Sequence, residues 1–188
     1  MAPTDATSPA PSPSRGGRIA LVLGVLVPSL ALDLWTKAWA WEHLREHPGK
    51  VIVDGFFRLE FAFNTGSAFG FLRDAGWSRA FFIVITVAAL VYMARLAMTI
   101  PTRAPSAFVA IGLIASGALG NLHDRFVRVF ADQYGVVDFI VVNYWPGKRW
   151  PAFNIADAAL VAGVLLFMIY LRRHGDPQDA PALAPPAA

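Results

Sequence analysis

Four long apolar stretches alternate with shorter polar segments along the chain, and this alternation is the first guide to its structure. Residues 19–32, 80–94, 104–122 and 158–171 carry no Asp, Glu, Lys or Arg. Each reaches the roughly 20 residues needed to cross about 30 Å of hydrocarbon only by admitting polar residues near one end. The pattern predicts four transmembrane helices over about 19–41, 79–100, 104–125 and 151–172. The first stretch could be read as a cleaved secretory signal, because Arg15 and Arg18 precede it and "SLA" at 29–31 offers small residues. It is longer than the usual apolar region of about 7–15 residues, however, and "ALDLWTKAWAW" continues it as a helix, so it is read as an uncleaved span.

Four crossings put both termini on one side and both long connections, about 42–78 and 126–150, on the other. In the first connection, "VIVDGFFRLEFAF" at 51–63 holds an Asp54-Gly55 turn signal. Phe57, Leu59, Phe61 and Phe63 then alternate with Arg58, Glu60 and Ala62, the period of a half-buried strand. The second connection mixes aromatic and basic residues, and its Tyr144, Trp145 and Trp150 suit the headgroup layer. The expected fold is a mostly α membrane protein: four transmembrane helices, a small β-sheet in the 1–2 loop and an interfacial 3–4 segment. Pro/Ala/Ser-rich ends predict disordered tails over 1–17 and 174–188, flanking one membrane domain over 18–173. Gly112, Ser116 and Gly120 form a small-residue stripe that lets another helix approach closely, which is read as ordinary tight packing.

Composition agrees with a membrane protein: of 188 residues, 56% are hydrophobic and only 15% charged. The net charge of +3 comes from scattered basic residues, with no stripe to track phosphates, so no nucleic-acid partner is expected. These charges divide between the two sides and leave the orientation open. The absence of cysteine excludes disulfides, thiolate nucleophiles and Cys-ligated metals.

Four acids change the picture. Asp33 ends the first span, Asp124 ends the third, Asp157 opens the fourth and Asp138 lies in the connection between the last two, so all fall on one face of the membrane. An acid inside the hydrocarbon costs on the order of 2.5–3.5 kcal/mol near a helix centre, and such residues usually have a task. Amide and guanidinium partners lie close by: Asn154 and Asp157 are i, i+3 neighbours, as are Asn121 and Asp124, and Arg125 follows Asn121 by one turn. Two carboxylates brought together cannot both ionise cheaply, so one keeps a proton while the other acts as a base. That pair is equipped to add water to an amide. A metal site built on His123 and the acids lacks paired-ligand spacing, and Ser67 or Lys37 as a nucleophile lacks its usual motif. A proton-linked transporter is less attractive without an internal repeat or broken helices; a non-enzymatic protein that only binds in its polar pocket is the other alternative.

The motifs "DLWTK" (33–37), "NTGSAF" (64–69), "GNLHDR" (120–125), "VVDF" (136–139) and "FNIAD" (153–157), in this order between four spans, make the chain resemble lipoprotein signal peptidase (signal peptidase II), a family of bacterial membrane aspartic proteases. The resemblance covers about residues 18–173. It implies an enzyme without cofactor or metal that removes the signal peptide of diacylglyceryl-modified prolipoproteins just before the lipidated Cys. It further implies a multi-pass protein of the cytoplasmic (inner) membrane, with cytoplasmic termini and a site near the extracytoplasmic face. The catalytic pair would be Asp138 and Asp157, with Asn64, Asn121, Arg125 and Asn154 binding substrate and Asp33, Lys37, Gly66 and Asp124 in support. Membrane lipid and cyclic peptide inhibitors of the globomycin type are the other implied partners. The chain departs from the pattern in a longer segment between Asp124 and Asp138, including "VRVFADQY", and in Ser67 of "NTGSAF". In this reading the 3–4 segment closes over the site and excludes bulk water.

Overall fold

The computed structural model describes residues 14–66, 77–100, 104–145 and 147–174. Ser67, and both tails but for their innermost residues, lie outside the described residues. Helices α1 (Arg15–His43), α2 (Ser78–Thr99), α3 (Pro105–Val127) and α4 (Ile155–His174) are each long and apolar enough to cross a membrane. The expected class, four spans with a small sheet, is the one observed. Two boundaries differ from the sequence pattern for local reasons. Ser14 caps α1, its Oγ accepting from Gly17 N at 3.1 Å, so residues 15–17, read as tail, are helical. At the other end of the chain, residues 151–154 do not belong to α4, because Phe153 pairs with Ile140 before the helix opens.

Helix α3 is the axis of the bundle: 61% of its apolar part is buried, against 6% in α1 and in α2. Small residues make this possible. A Cβ on Gly112 would come within 2.8 Å of the Val22 carbonyl oxygen, the Ser116 hydroxyl bonds to Ser29 Oγ at 3.0 Å, and Gly120 faces the Asp33 carboxylate. The stripe from 112 to 120 thus lies along α1, while Gly117 and Gly163 set the contact between α3 and α4. Gly120→Ala should be disproportionately harmful, because the new methyl would overlap Asp33 Oδ2 and that side chain is held at both oxygens. Thermal unfolding in detergent should show a loss of about 1–3 kcal/mol, whereas Gly24→Ala, in open space on α1, should be neutral or better.

Between the helices, the chain forms β1 (Lys50–Val53), β2 (Phe57–Asn64), the two-residue strands β3 (Val129–Phe130) and β4 (Gln133–Tyr134), then β5 (Val136–Trp145) and β6 (Lys148–Arg149). The sheet is antiparallel in the order β1-β2-β5-β6, so it is built from both connections and not from the first alone. Residues 136–139, at the start of β5, are fully buried. The middle of the 3–4 segment, β5, is therefore a central strand held in a ladder. The longer stretch after Asp124 is the β3–β4 hairpin, whose turn puts Ala131 and Asp132 at φ +48° and +60°. Its Phe130 docks 5.5–5.6 Å from the rings of Phe61 and Phe63, and Trp41 of α1 completes the cluster between the guanidinium groups of Arg45 and Arg128. Such ring pairs contribute about 0.5–1.5 kcal/mol each beyond burial and fasten the sheet to the end of α1.

A register shift in this sheet bears on the site. Leu59 pairs with Ile140, but Ala62, not Phe61, pairs with Asp138. The extra residue in β2 is a bulge. Without it, Asp138 would lie opposite Phe61, a member of the apolar cluster; with it, Asp138 shares a side of the sheet with Ala62 and Asn64.

Candidate active site

Where α4 begins, Asn154 and Asp157 form a reciprocal cap. Asp157 N donates to Asn154 Oδ1 at 2.9 Å and Asn154 N donates to Asp157 Oδ2 at 3.2 Å. This is the capping-box arrangement, with Asn and Asp in place of the commoner pair, and it explains how a greasy helix carries an acid in its first turn. The remaining oxygen, Asp157 Oδ1, accepts from Asn121 Nδ2 of α3 at 2.7 Å.

Asn154 reaches in the other direction too. Its Nδ2 donates to Asp138 Oδ1 at 2.7 Å and lies 3.1 Å from Asn121 Oδ1 and 3.2 Å from the Val137 carbonyl oxygen. Asp138 Oδ2 accepts from Asn64 Nδ2 at 3.1 Å, and Asn64 Oδ1 in turn accepts from Gly66 N at 2.9 Å. Gly66 adopts φ +109° with Phe82 packed where a side chain would go, so this turn requires glycine. Asp138 and Asp157, from a strand and a helix, thus share Asn154 as a direct partner, through its side chain and its backbone N–H respectively. Burial and the neighbouring Asp157 charge push the Asp138 carboxyl up to about 7, against the opposing hydrogen bond from Asn64, the Lys37 charge and the bond from Asn154.

A second layer holds these elements in place. Lys37 is fully buried, with Nζ 2.9 Å from Asn121 Oδ1, 3.0 Å from Asp33 Oδ2 and 3.6 Å from Asp124 Oδ2. An ammonium has no acceptor, so it fixes the Asn121 oxygen toward itself and the Asn121 Nδ2 toward Asp157. The two acids have separate anchoring tasks. Asp33 Oδ1 accepts from Ala156 N in the first turn of α4 at 2.8 Å, and Asp124 Oδ2 accepts from Val137 N of β5 at 3.0 Å. One holds the helix that carries Asp157; the other holds the strand that carries Asp138.

Arg125 completes the picture from α3. Its Nη1 donates to the Asn121 carbonyl at 3.2 Å, and its guanidinium lies 4.9 Å over the Phe82 ring. Sequence reasoning named ten residues here, and the structure joins all of them in one network. It missed Phe82, which packs on both Gly66 and Arg125, and Arg79, whose Nε donates to the Arg125 carbonyl at 3.0 Å. Phe82 sits in an unbroken apolar run that offers no signal; Arg79 was visible only as a cation at the mouth of a span.

Comparison with known proteins identifies the family. The family described as Signal peptidase (SPase) II matches residues 25–173. The chain is 35% identical over 177 residues to the lipoprotein signal peptidase of Pseudomonas putida, covering 91% of this chain and 97% of that one. It is 39% identical over 155 residues to that of Geobacter sulfurreducens, covering 82% and 91%. A bacterial membrane enzyme solved at 2.3 Å by the in meso method superposes with a TM-score of 0.70 at 28% identity, over 89% of this chain and 94% of the other. With four apolar helices and these likenesses, the chain is a multi-pass membrane protein and a peptidase, and it belongs to the signal peptidase II family.

Proposed function

We propose that the protein removes the signal peptide from diacylglyceryl-modified prolipoproteins, cutting before the lipidated Cys with Asp138 and Asp157 as an aspartic dyad. The observation that carries this reading is the shared Asn154, which donates to one carboxylate through its side chain and to the other through its backbone. The raised Asp138 carboxyl favours it as the proton-bearing partner. Asp157 then takes a proton from the attacking water while Asp138 donates to the carbonyl oxygen; as the C–N bond breaks, the proton on Asp157 passes to the leaving amine and Asp138 recovers its proton from the hydroxyl of the intermediate. The pair titrates as a unit, so the apparent value belongs to both. Arg125, bonded to the carbonyl of the same Asn121 whose side chain bonds Asp157, is the cation assigned to stabilise the developing oxyanion. Asn154 is wholly buried, with its oxygen and its amide hydrogens engaged inside the protein, so its role is to position the dyad and not to bind substrate.

A lipidated signal helix resides in the bilayer and reaches such a site without leaving lipid. The reading places the protein in the cytoplasmic membrane with cytoplasmic termini and the sheet on the extracytoplasmic side, and makes the site a target for cyclic peptides of the globomycin type. Purified protein incubated with lipidated and unlipidated prolipoprotein tests it. Mass spectrometry should find a new N-terminus at the lipidated Cys in the first only; a cut elsewhere, or none, would discard the reading.

The Asp138 shift also gives a pH expectation. An acid whose folded value is raised from 3.8 to about 7 stays protonated up to about 7, so kcat/KM should fall on the alkaline side with an apparent value near 7. The linked stability has the same sign: the contribution is fully present below 3.8 and is lost as pH rises to about 7. Melting temperature measured across this window should decline in the wild type and decline less in Asp138→Asn.

A further inference from the structure

On the side of the sheet that carries Asp138 and Asn64 there is a cavity of about 420 Å³. That volume lies within the ~300–1,000 Å³ range of small-ligand sites. Ala62, Asn64 and Asp138 line one end, and Glu60 and Arg149 line another part. None of its lining residues belongs to a membrane-spanning helix; all come from β2, β5, β6 and the segment leading to α4. A substrate whose signal helix lies in the bilayer can place only its extramembrane part here. The charge is uneven here: Glu60 lies 3.6 Å from Arg149, which lines the cavity with it, and 3.2 Å from Arg58, which stands behind it outside the lining, so two guanidinium groups face one carboxylate.

The strand sets a ruler. Asp138 pairs with Ala62, and Glu60 is two residues back along β2 across the bulge, which at no more than about 3.4 Å per residue is at most roughly 7 Å. An extended peptide whose scissile carbonyl meets the dyad covers the same distance in about two residues. Resting on the peptidase reading above, we propose that this cavity binds the first residues of the mature chain, downstream of the cut. Arg149, with Glu60 and Arg58, selects their charge and favours an acidic over a basic side chain at the second or third residue.

The side of the substrate follows from the lining. Upstream residues form the apolar signal helix and have no use for an ion pair outside the membrane helices. Downstream residues leave the bilayer and must pass the rim. Because the rim residues are half-exposed, the selection is modest and sensitive to salt.

The test uses three lipidated substrates that differ only in Glu, Gln or Lys at the third residue of the mature chain, and then a second set varied at the second residue. Cleavage is followed by the purified full-length wild type, Arg149→Glu and Glu60→Gln. The wild type should prefer Glu over Lys in kcat/KM by about two- to fivefold at low salt. Arg149→Glu should invert the order, and Glu60→Gln should strengthen it. Within each protein the Gln substrate serves as reference, so a general loss of activity does not alter the ratio. Equal rates on all three wild-type substrates in both sets, or an unchanged ratio in Arg149→Glu, would overturn the charge selection while leaving the peptidase intact. Failure of the wild type to cut any substrate would overturn the peptidase reading and this proposal with it.

Discussion

Asp138→Asn and Asp157→Asn should each lower kcat/KM for a lipidated prolipoprotein by roughly 100- to 10,000-fold, while substrate binding survives. The change removes proton chemistry and keeps shape. It does not keep hydrogen-bond polarity: Asp157 accepts from Asn121 Nδ2 and Asn154 N, and Asp138 accepts from Asn64 Nδ2 and Asn154 Nδ2. An introduced amide would turn its own NH₂ toward one of these donors, at a cost of about 1–3 kcal/mol. Melting temperature and binding must therefore be measured on the same preparations. Asp124→Asn is the internal comparison, because Asp124 bonds to Val137 N and lies near Lys37 without being bonded to either Asn64 or Asn154. It should lose stability and keep measurable cleavage. A transporter or a protein that only binds would share the surviving binding of the Asn variants but show no cleavage in the wild type. Normal cleavage by Asp138→Asn would sink the assignment of the dyad.

Much of the bundle was legible because lipid imposes a length and a polarity on each span. Charge-free stretches marked the four helices, and the period-2 alternation of Phe57 through Phe63 marked β2. Strand β5 was harder. "VVDFIVVNYW" is buried along its first four residues, so it reads as a continuous apolar run with aromatics, and alternation cannot separate it from an interfacial segment. The β3–β4 hairpin was hidden for another reason. Its turn uses Ala131 and Asp132 at positive φ, where sequence would offer Asn-Gly or Asp-Gly as the signal. In the site, i, i+3 spacing exposed the partnership of Asn154 with Asp157, and motif order gathered the rest. The bulge that turns Asp138 away from Phe61 has no local signature, since it depends on the pairing of two distant segments. Nor could sequence divide Asp33 from Asp124: both end a span, and only the structure shows that one anchors α4 and the other β5.

That division makes Lys37 the residue whose loss should reach furthest outside the dyad. Lys37→Met keeps the stem and removes the ammonium between Asp33 and Asp124, both about 1% exposed. Two buried carboxylates would then lack their common cation, and breaking a buried pair costs about 3–5 kcal/mol. Arg128 Nε, at 3.9 Å from Asp124 Oδ1, is too far to compensate by hydrogen bonding. The first expected result is a protein that unfolds at markedly lower temperature in detergent. A second variant separates stability from function. In Lys37→Met/Asp124→Asn one surplus charge is gone, so part of the stability should return. Activity should stay at least about tenfold below that of Asp124→Asn alone, because nothing replaces the donor that holds Asn121 Oδ1 and thereby aims Asn121 Nδ2 at Asp157. The loss should fall more on kcat than on KM, and the pH profile should shift, since this amide bonds a dyad carboxylate. If the double variant recovers activity in step with stability, Lys37 serves only to neutralise buried charge, and the orientation of Asn121 is maintained by Asn154 Nδ2 alone.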